Sequence, residues 1–300
     1  MRLALIGVGL IGASAAWAMK RGGVFDTVSA FDLSTKSVLK AVDMGIADAA
    51  SSTLQECVQG ADAVLVAVPV LAIEKVTAQI EPFLGDDTLI TDVGSVRGVV
   101  IDGARRVLKE KFVNYAPVHP IAGGEMPGVD YADADLFVGA KAISTPVDGI
   151  GERAVRFWEE AWKTAGSDLL RMTPEEHDAV FASVSHLPHL LSYAMVDSIL
   201  NTGSAERKLS LAGAGFRDFT RIAASSPEMW VDIFRANKKA VLEALSYFEK
   251  DLALLRRAVE NDEVEVTRSV FARAADARRR IAPHLPKKRT ATTGITVMPI

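Results

Sequence analysis

Hydrophobic positions along the chain change their period once. Up to Met172 short apolar runs alternate with stretches of helical spacing, and from Thr173 onward only helical spacing remains. Residues 2–6 are an apolar run that ends in Gly7-Val8-Gly9-Leu10-Ile11-Gly12, and residues 13–20 are good helix formers, which predicts strand, glycine turn and helix. Thr27–Phe31 reads as a second strand with Asp32 at its end. Residues 61–68 are almost continuously apolar and close at Pro69, as a central parallel strand buried on both faces requires. A helical stretch to about Leu84 leads to a strand at 88–93, then Gly94-Ser95, with a helix opening at Val96-Arg97. Further strands are predicted at 113–116, 137–144 and 169–172, with a helix over 152–165 whose apolar side carries Phe157, Trp158 and Trp162. This alternation predicts an α/β domain, a Rossmann-type doubly wound sheet, over residues 1–172. Thr173-Pro174-Glu175-Glu176 then opens an all-α domain, 173–286, with a cap, a proline in the first turn and early acids. Long helical stretches at 175–201, 227–261 and 263–281 have apolar faces that a small domain cannot cover alone, so a homodimer through the helical domain is expected. Residues 287–300 form a tail without a periodic apolar face.

Composition narrows the function classes. Of the 300 residues 49% are hydrophobic and 24% charged, and the net charge of −4 leaves no electrostatic footprint for nucleic acid or an anionic membrane. A small-molecule partner is expected. The single cysteine, Cys57, excludes an internal disulfide and a thiolate metal cage and suits a cytoplasmic protein. The apolar N-terminus is too short and too rich in glycine for a secretory segment or a membrane span.

The glycine turn sits between strand and helix with Asp32 twenty positions after Gly12, the combination that binds a dinucleotide. Gly7 permits the tight turn, Gly9 lets backbone N–H groups near a pyrophosphate, Gly12 allows close helix packing, and Leu10 and Ile11 open the helix whose positive end faces the phosphates. Asp32 is expected to accept hydrogen bonds from the adenosine ribose and to repel a 2′-phosphate; no arginine follows in Leu33-Ser34-Thr35-Lys36, so NAD is favoured over NADP. Val68 and Pro69 end the central strand beside this crevice.

The second chemical signal is residues 117–125, Pro-Val-His-Pro-Ile-Ala-Gly-Gly-Glu. Two prolines and two glycines predict a loop rather than regular structure, and a histidine in such a loop is ordinarily a surface residue. His119, however, follows a strand and so projects from the sheet's carboxyl edge, where open parallel sheets bind ligands, as does Ser95. In the helical half, Ser185-His186-Leu187-Pro188-His189 places two histidines three apart on a helix that Pro188 should kink, with no further ligands for a metal. Residues 215–225 crowd Arg217, Asp218 and Arg221 among aromatic and small side chains; one arginine can pair with Asp218, leaving the other for a carboxylate ligand.

Five stretches together resemble the prephenate/arogenate dehydrogenase family of tyrosine biosynthesis: 7–12, 91–96, 119–123, 185–189 and 215–230. The resemblance implies NAD-dependent oxidative decarboxylation of prephenate or arogenate between a nucleotide-binding domain and a helical dimerisation domain. It implies that His119 accepts the proton of the ring hydroxyl, that Ser95 bonds that hydroxyl and orients the imidazole, and that Arg221 holds a substrate carboxylate. Ser185 and His189 would line the pocket, Glu125 would gate it, and Arg217 would be left to Asp218. The alternatives are another two-domain NAD(P) enzyme, such as a β-hydroxyacid dehydrogenase, or an NAD-sensing protein without turnover.

Overall fold

The computed structural model describes residues 1–123 and 126–282; Gly124, the expected gate Glu125 and the predicted tail lie outside the described residues. The apolar runs become β1 (Arg2–Ile6), β2 (Thr27–Phe31), β3 (Ala49–Ala50), β4 (Ala63–Val66), β5 (Leu89–Asp92), β6 (Tyr115–Ile121), β7 (Lys141–Ser144) and β8 (Asp168–Arg171). They form one sheet in the order β3-β2-β1-β4-β5-β6-β7-β8. Strands β1 to β6 are parallel, β7 is antiparallel to β6, and β8 is parallel to β7. Strand order reverses at β1, which lies between β2 and β4, so the crevice outside its carboxyl end falls at the glycine turn.

Helices α1 (Leu10–Arg21), α2 (Thr35–Asp43), α3 (Leu54–Val58), α4 (Ile73–Ile80), α5 (Gly98–Leu108) and α6 (Glu152–Thr164) cover both faces. Because side chains alternate along a strand, Leu3 and Leu5 join one core, with Ala15, Met19, Trp158 and Trp162, while Ala4 and Ile6 join the other, with Ile73, Val100, Ile101 and Cys57. Burial on both faces is why β4 reads as an unbroken apolar run.

Two expectations need correction here. The histidine segment is strand through Ile121 rather than a loop. Proline lacks a ladder donor, but within β6 only Tyr115–Pro117 pair with β5 and only Val118–Ile121 pair with β7, so Pro120 has a neighbour on one side alone. The strand expected over 137–144 begins only at Lys141, and Phe137 is a buried turn residue whose ring packs edge-on against Trp162.

Beyond Arg171 the described residues hold only helices and turns: α7 (Pro174–Phe181), α8 (Leu187–Leu200), α9 (Ala205–Ser210), α10 (Ala214–Thr220), α11 (Pro227–Ala236), α12 (Lys238–Glu260) and α13 (Val264–Ile281). A π-helical turn at Ala182–His186 joins α7 to α8, widening the helix just before Pro188, whose missing N–H is tolerated in the first turn of α8. The long helix expected from Pro227 is broken at Asn237. The chain packs as two units, Met1–Leu245 and the residues from Ser246 onward. In the second, α13 follows the end of α12 after a turn closed by the Glu263 N–H donating to Ala258 O at 2.8 Å.

Candidate active site

The glycine turn is shaped by side chains that are absent. Gly7 has φ of +95°, and a Cβ there would lie 2.3 Å from the Ala67 carbonyl oxygen; a Cβ at Gly12 would lie 2.3 Å from Gly7 O. The turn is therefore pressed against the end of β4, where Val68 is half-buried and Pro69 exposed. Gly9 differs: a Cβ added there would meet nothing within 4 Å, and Gly9 caps α1 without a side chain, so the helix's first N–H groups, at Leu10 and Ile11, open on free space. Asp32 Oδ2 accepts the Val8 N–H at 2.7 Å and its Oδ1 the Ser34 N–H at 2.8 Å, tying the turn to the end of β2.

Beneath the sheet edge lies a buried ion pair. Arg97 and Asp92 are 0% and 1% exposed and share two bonds of 2.7 and 2.8 Å. The guanidinium also donates to Gly94 O at 2.7 Å, and the Tyr115 hydroxyl bonds Asp92. Removing one member of such a pair costs about 3–5 kcal/mol, because the other charge is left buried. Here the pair fixes the Gly94-Ser95 turn, presenting the half-buried Ser95 at the edge of the sheet. In the sequence Arg97 reads as the start of a helix.

His119 is half-buried at the same edge, its ring edge-on to His177 and Phe181 of α7 with centroids 5.0 and 5.1 Å away. Its Nδ1 lies 2.8 Å from His177 Nε2. His177, which the sequence reading did not single out, thus helps to orient the ring. His177 Nδ1 lies 2.9 Å from Asp178 Oδ1, and Asn237 bonds both the Asp178 carbonyl, at 2.8 Å, and His186 Nδ1, at 3.2 Å. Burial, followed by the charges of His177, Arg97 and His186, pushes the His119 imidazole well below its ordinary pKa, so it is neutral at neutral pH. Burial likewise drives His186 down to about 4.

The helical wall carries the other predicted residues. His189 Nδ1 donates to Ser185 O at 2.8 Å, and its ring stacks on Trp230 with centroids 3.7 Å apart. Burial lowers its pKa first and the neighbouring charge of Arg221 lowers it further, against the opposing bond to Ser185. Arg221 is exposed at the start of a 3-10 turn, Arg221–Ala224, flanked by the bonds of Ser192 to Phe219 O and Tyr193 to Ser225 O that tie it to α8. Ser185, His189 and Arg221 therefore lie together. Arg217 is 3.6 Å from Asp218, both exposed, an ion pair of little energetic weight. Among the described residues no group of three or more His, Cys, Asp or Glu side chains is arranged to hold a metal ion.

Sequence reasoning missed His177, Asp178 and Asn237. A usable signal was present for the first: Pro174, His177 and Phe181 share the buried face of α7, and a histidine in such a stripe needs a polar partner.

Both halves of the chain match proteins of known family. Residues 15–170 match the family model of the prephenate dehydrogenase nucleotide-binding domain and residues 173–273 that of the prephenate dehydrogenase dimerization domain. The chain is 35% identical to a cyclohexadienyl dehydrogenase of Zymomonas mobilis, covering 92% of this chain and 94% of that one. It is 33% identical to a prephenate dehydrogenase of Bacillus subtilis, covering 91% and 74%. The crystal structure of A. aeolicus prephenate dehydrogenase in complex with hydroxyphenyl propionate and NAD+ superposes with a TM-score of 0.88 at 32% identity, covering 94% of this chain and 98% of that one. With both halves matched in order around the His119 edge, this chain belongs to the prephenate dehydrogenase family.

Proposed function

We propose that the protein catalyses the NAD-dependent oxidative decarboxylation of prephenate to 4-hydroxyphenylpyruvate in tyrosine biosynthesis, and that it also takes arogenate, which gives tyrosine. The observation that carries this reading is a neutral imidazole, His119, at the carboxyl edge of the sheet whose glycine turn can hold a dinucleotide. The open space at Gly9, the uncapped start of α1 and the carboxylate of Asp32 fit a pyrophosphate and a ribose, and with no arginine beside Asp32 they fit NAD better than NADP. Bound NAD supplies the hydride acceptor.

In this reading His119 takes the proton of the C4 hydroxyl as the hydride leaves C4. The proton returns to that oxygen as the ring carboxylate departs as carbon dioxide and the ring becomes aromatic. Ser95 hydrogen-bonds the same hydroxyl. Arg221 holds a substrate carboxylate with its planar fork, Ser185 and His189 line the pocket, and Glu125 gates it. Residues 1–172 form the nucleotide-binding domain and 173–286 the substrate and dimerisation domain.

A homodimer in the cytoplasm accounts for the helical surface. Val180, Val184, Met195 and Leu200 are exposed apolar residues on a helical stretch, Pro174–Leu200, that is long and apolar enough to cross a membrane by length and composition. A second copy of the chain covers that surface in this reading. Steady-state rates on prephenate and arogenate, each with NAD and NADP, test the proposal. NADH formation with at least one of the two substrates is expected. Binding of NAD with no turnover of either would leave a sensing protein, and turnover of a β-hydroxyacid instead would move the chain to the rival enzyme class.

A further inference from the structure

The hydrogen bonds behind His119 have a direction, and a carboxylate sets it. We propose that His177 and Asp178 are positioning residues that hold His119 in the tautomer protonated at Nδ1, leaving a lone pair at Nε2 for the substrate's hydroxyl proton. The proposal rests on the reading of His119 as the proton acceptor.

The assignment follows from donor and acceptor capacity. An ionised carboxylate only accepts, so the 2.9 Å contact with Asp178 Oδ1 puts the proton of His177 on Nδ1. A neutral imidazole has one N–H, and burial keeps His177 below its ordinary pKa despite the opposing bond to Asp178. His177 Nε2 is therefore a bare acceptor. It lies 2.8 Å from His119 Nδ1, which must then donate. His119 is neutral as well, so its Nε2 carries no proton. The opposite tautomer of His119 would set two lone pairs against each other at hydrogen-bond distance.

Asp178 is placed to keep this direction. Burial works to raise its pKa, but the bond from His177 and the N–H groups of Arg97 and Gly98 outweigh that and hold it ionised. Arg97 N donates to Oδ1 at 2.8 Å and Gly98 N to Oδ2 at 2.9 Å, both from the first turn of α5, whose positive end favours an anion. Gly98 makes the approach possible, since a Cβ there would lie 3.2 Å from Oδ2. Asn237 grips the Asp178 carbonyl from the junction of α11 and α12. When His119 takes the substrate proton, its Nδ1–H remains on His177, and the imidazolium is stabilised through that bond without moving a proton to Asp178.

Ring-nitrogen NMR of the full chain labelled with 15N-histidine reads the tautomer directly. There are five histidines, and His119 is assigned by its loss in His119→Asn. The wild-type His119 signal is expected to be the Nδ1–H form. In Asp178→Ala nothing accepts from His177 Nδ1, so His177 can carry its proton on Nε2 and donate to His119, and the His119 signal should take on Nε2–H character. The kcat of this variant should fall by about 10²- to 10⁴-fold while KM for NAD stays within about threefold. His177→Phe keeps the ring stacking on Phe181 but removes the acceptor and should lose kcat; His177→Gln offers an oxygen in its place and should restore about tenfold or more. His119 remaining wholly in the Nδ1–H form in Asp178→Ala overturns the proposal, as do equal rates for His177→Phe and His177→Gln. If Asp178→Ala does not fold, the His177 pair decides alone. Full turnover in His119→Asn would remove the base reading itself; loss of turnover there with full turnover in His177→Phe would remove only this inference.

Discussion

The glycine turn and the histidine cluster flank the same edge of the sheet and work on opposite principles. The turn functions by missing volume: Gly7 and Gly12 sit where any Cβ would strike backbone or a packed side chain, and Gly9 leaves its space open. The cluster functions by filled volume, with His119, His177 and Phe181 in mutual ring contact and a chain of bonds running to Asp178. A site of the first kind is intolerant of a methyl group at Gly7 or Gly12. A site of the second kind fails when an acceptor in its chain of bonds is lost, even where the shape is kept.

The largest effect separating the two comes from His119→Asn, which keeps a polar side chain but removes the titrating group. Turnover should fall by roughly 10²- to 10⁴-fold with NAD affinity nearly unchanged, as measured by initial rates alongside NAD titration. Arg221→Ala should act on a different quantity. Losing a charged hydrogen bond costs about 1.5–3 kcal/mol, roughly 10- to 150-fold in KM for the substrate, with kcat less affected; a larger KM effect from Arg217→Ala would exchange their roles. The glycine positions give the smallest and most discriminating result. Gly12→Ala forces a Cβ to within 2.7 Å of Ala67 Cβ and closer still to Gly7 O, and should lower stability by about 1–3 kcal/mol in a thermal melt without ligand. Gly9→Ala meets no protein atom and should leave that melt unchanged while weakening NAD; equal melting losses for both would mean that Gly9 does not face the ligand.

Much of the first region was legible in the sequence because its physics is local. A strand, a turn that only glycine can make and a helix follow one another within residues 2–21, so spacing alone specifies them. The second region is assembled from a distance. Pro117 and Pro120 suggested a loop because nothing near them shows that β5 stops at Asp92 and that β7 arrives antiparallel. Asn237 read as the middle of a long helix, yet it ends α11 and bonds groups about fifty to sixty positions earlier in the chain. His177 and Asp178 are neighbours in a helix, a spacing that carries no signature. Arg221, His189 and Ser185 came from resemblance, and the packing of the 3-10 turn against α8 is what brings them together.

The central claim is that His119 acts as a neutral base whose burial keeps it below its ordinary pKa. The pH dependence of kcat/KM for prephenate with NAD tests it most directly, because that ratio reports ionisations of the free enzyme. Protonation of His119 removes the base, so the rate should fall on the acid side, with a midpoint below the ordinary histidine value of 6.5. That limb should be missing from the residual activity of His119→Asn. A midpoint at or above 6.5, or an acid limb that persists unchanged in His119→Asn, would contradict the account.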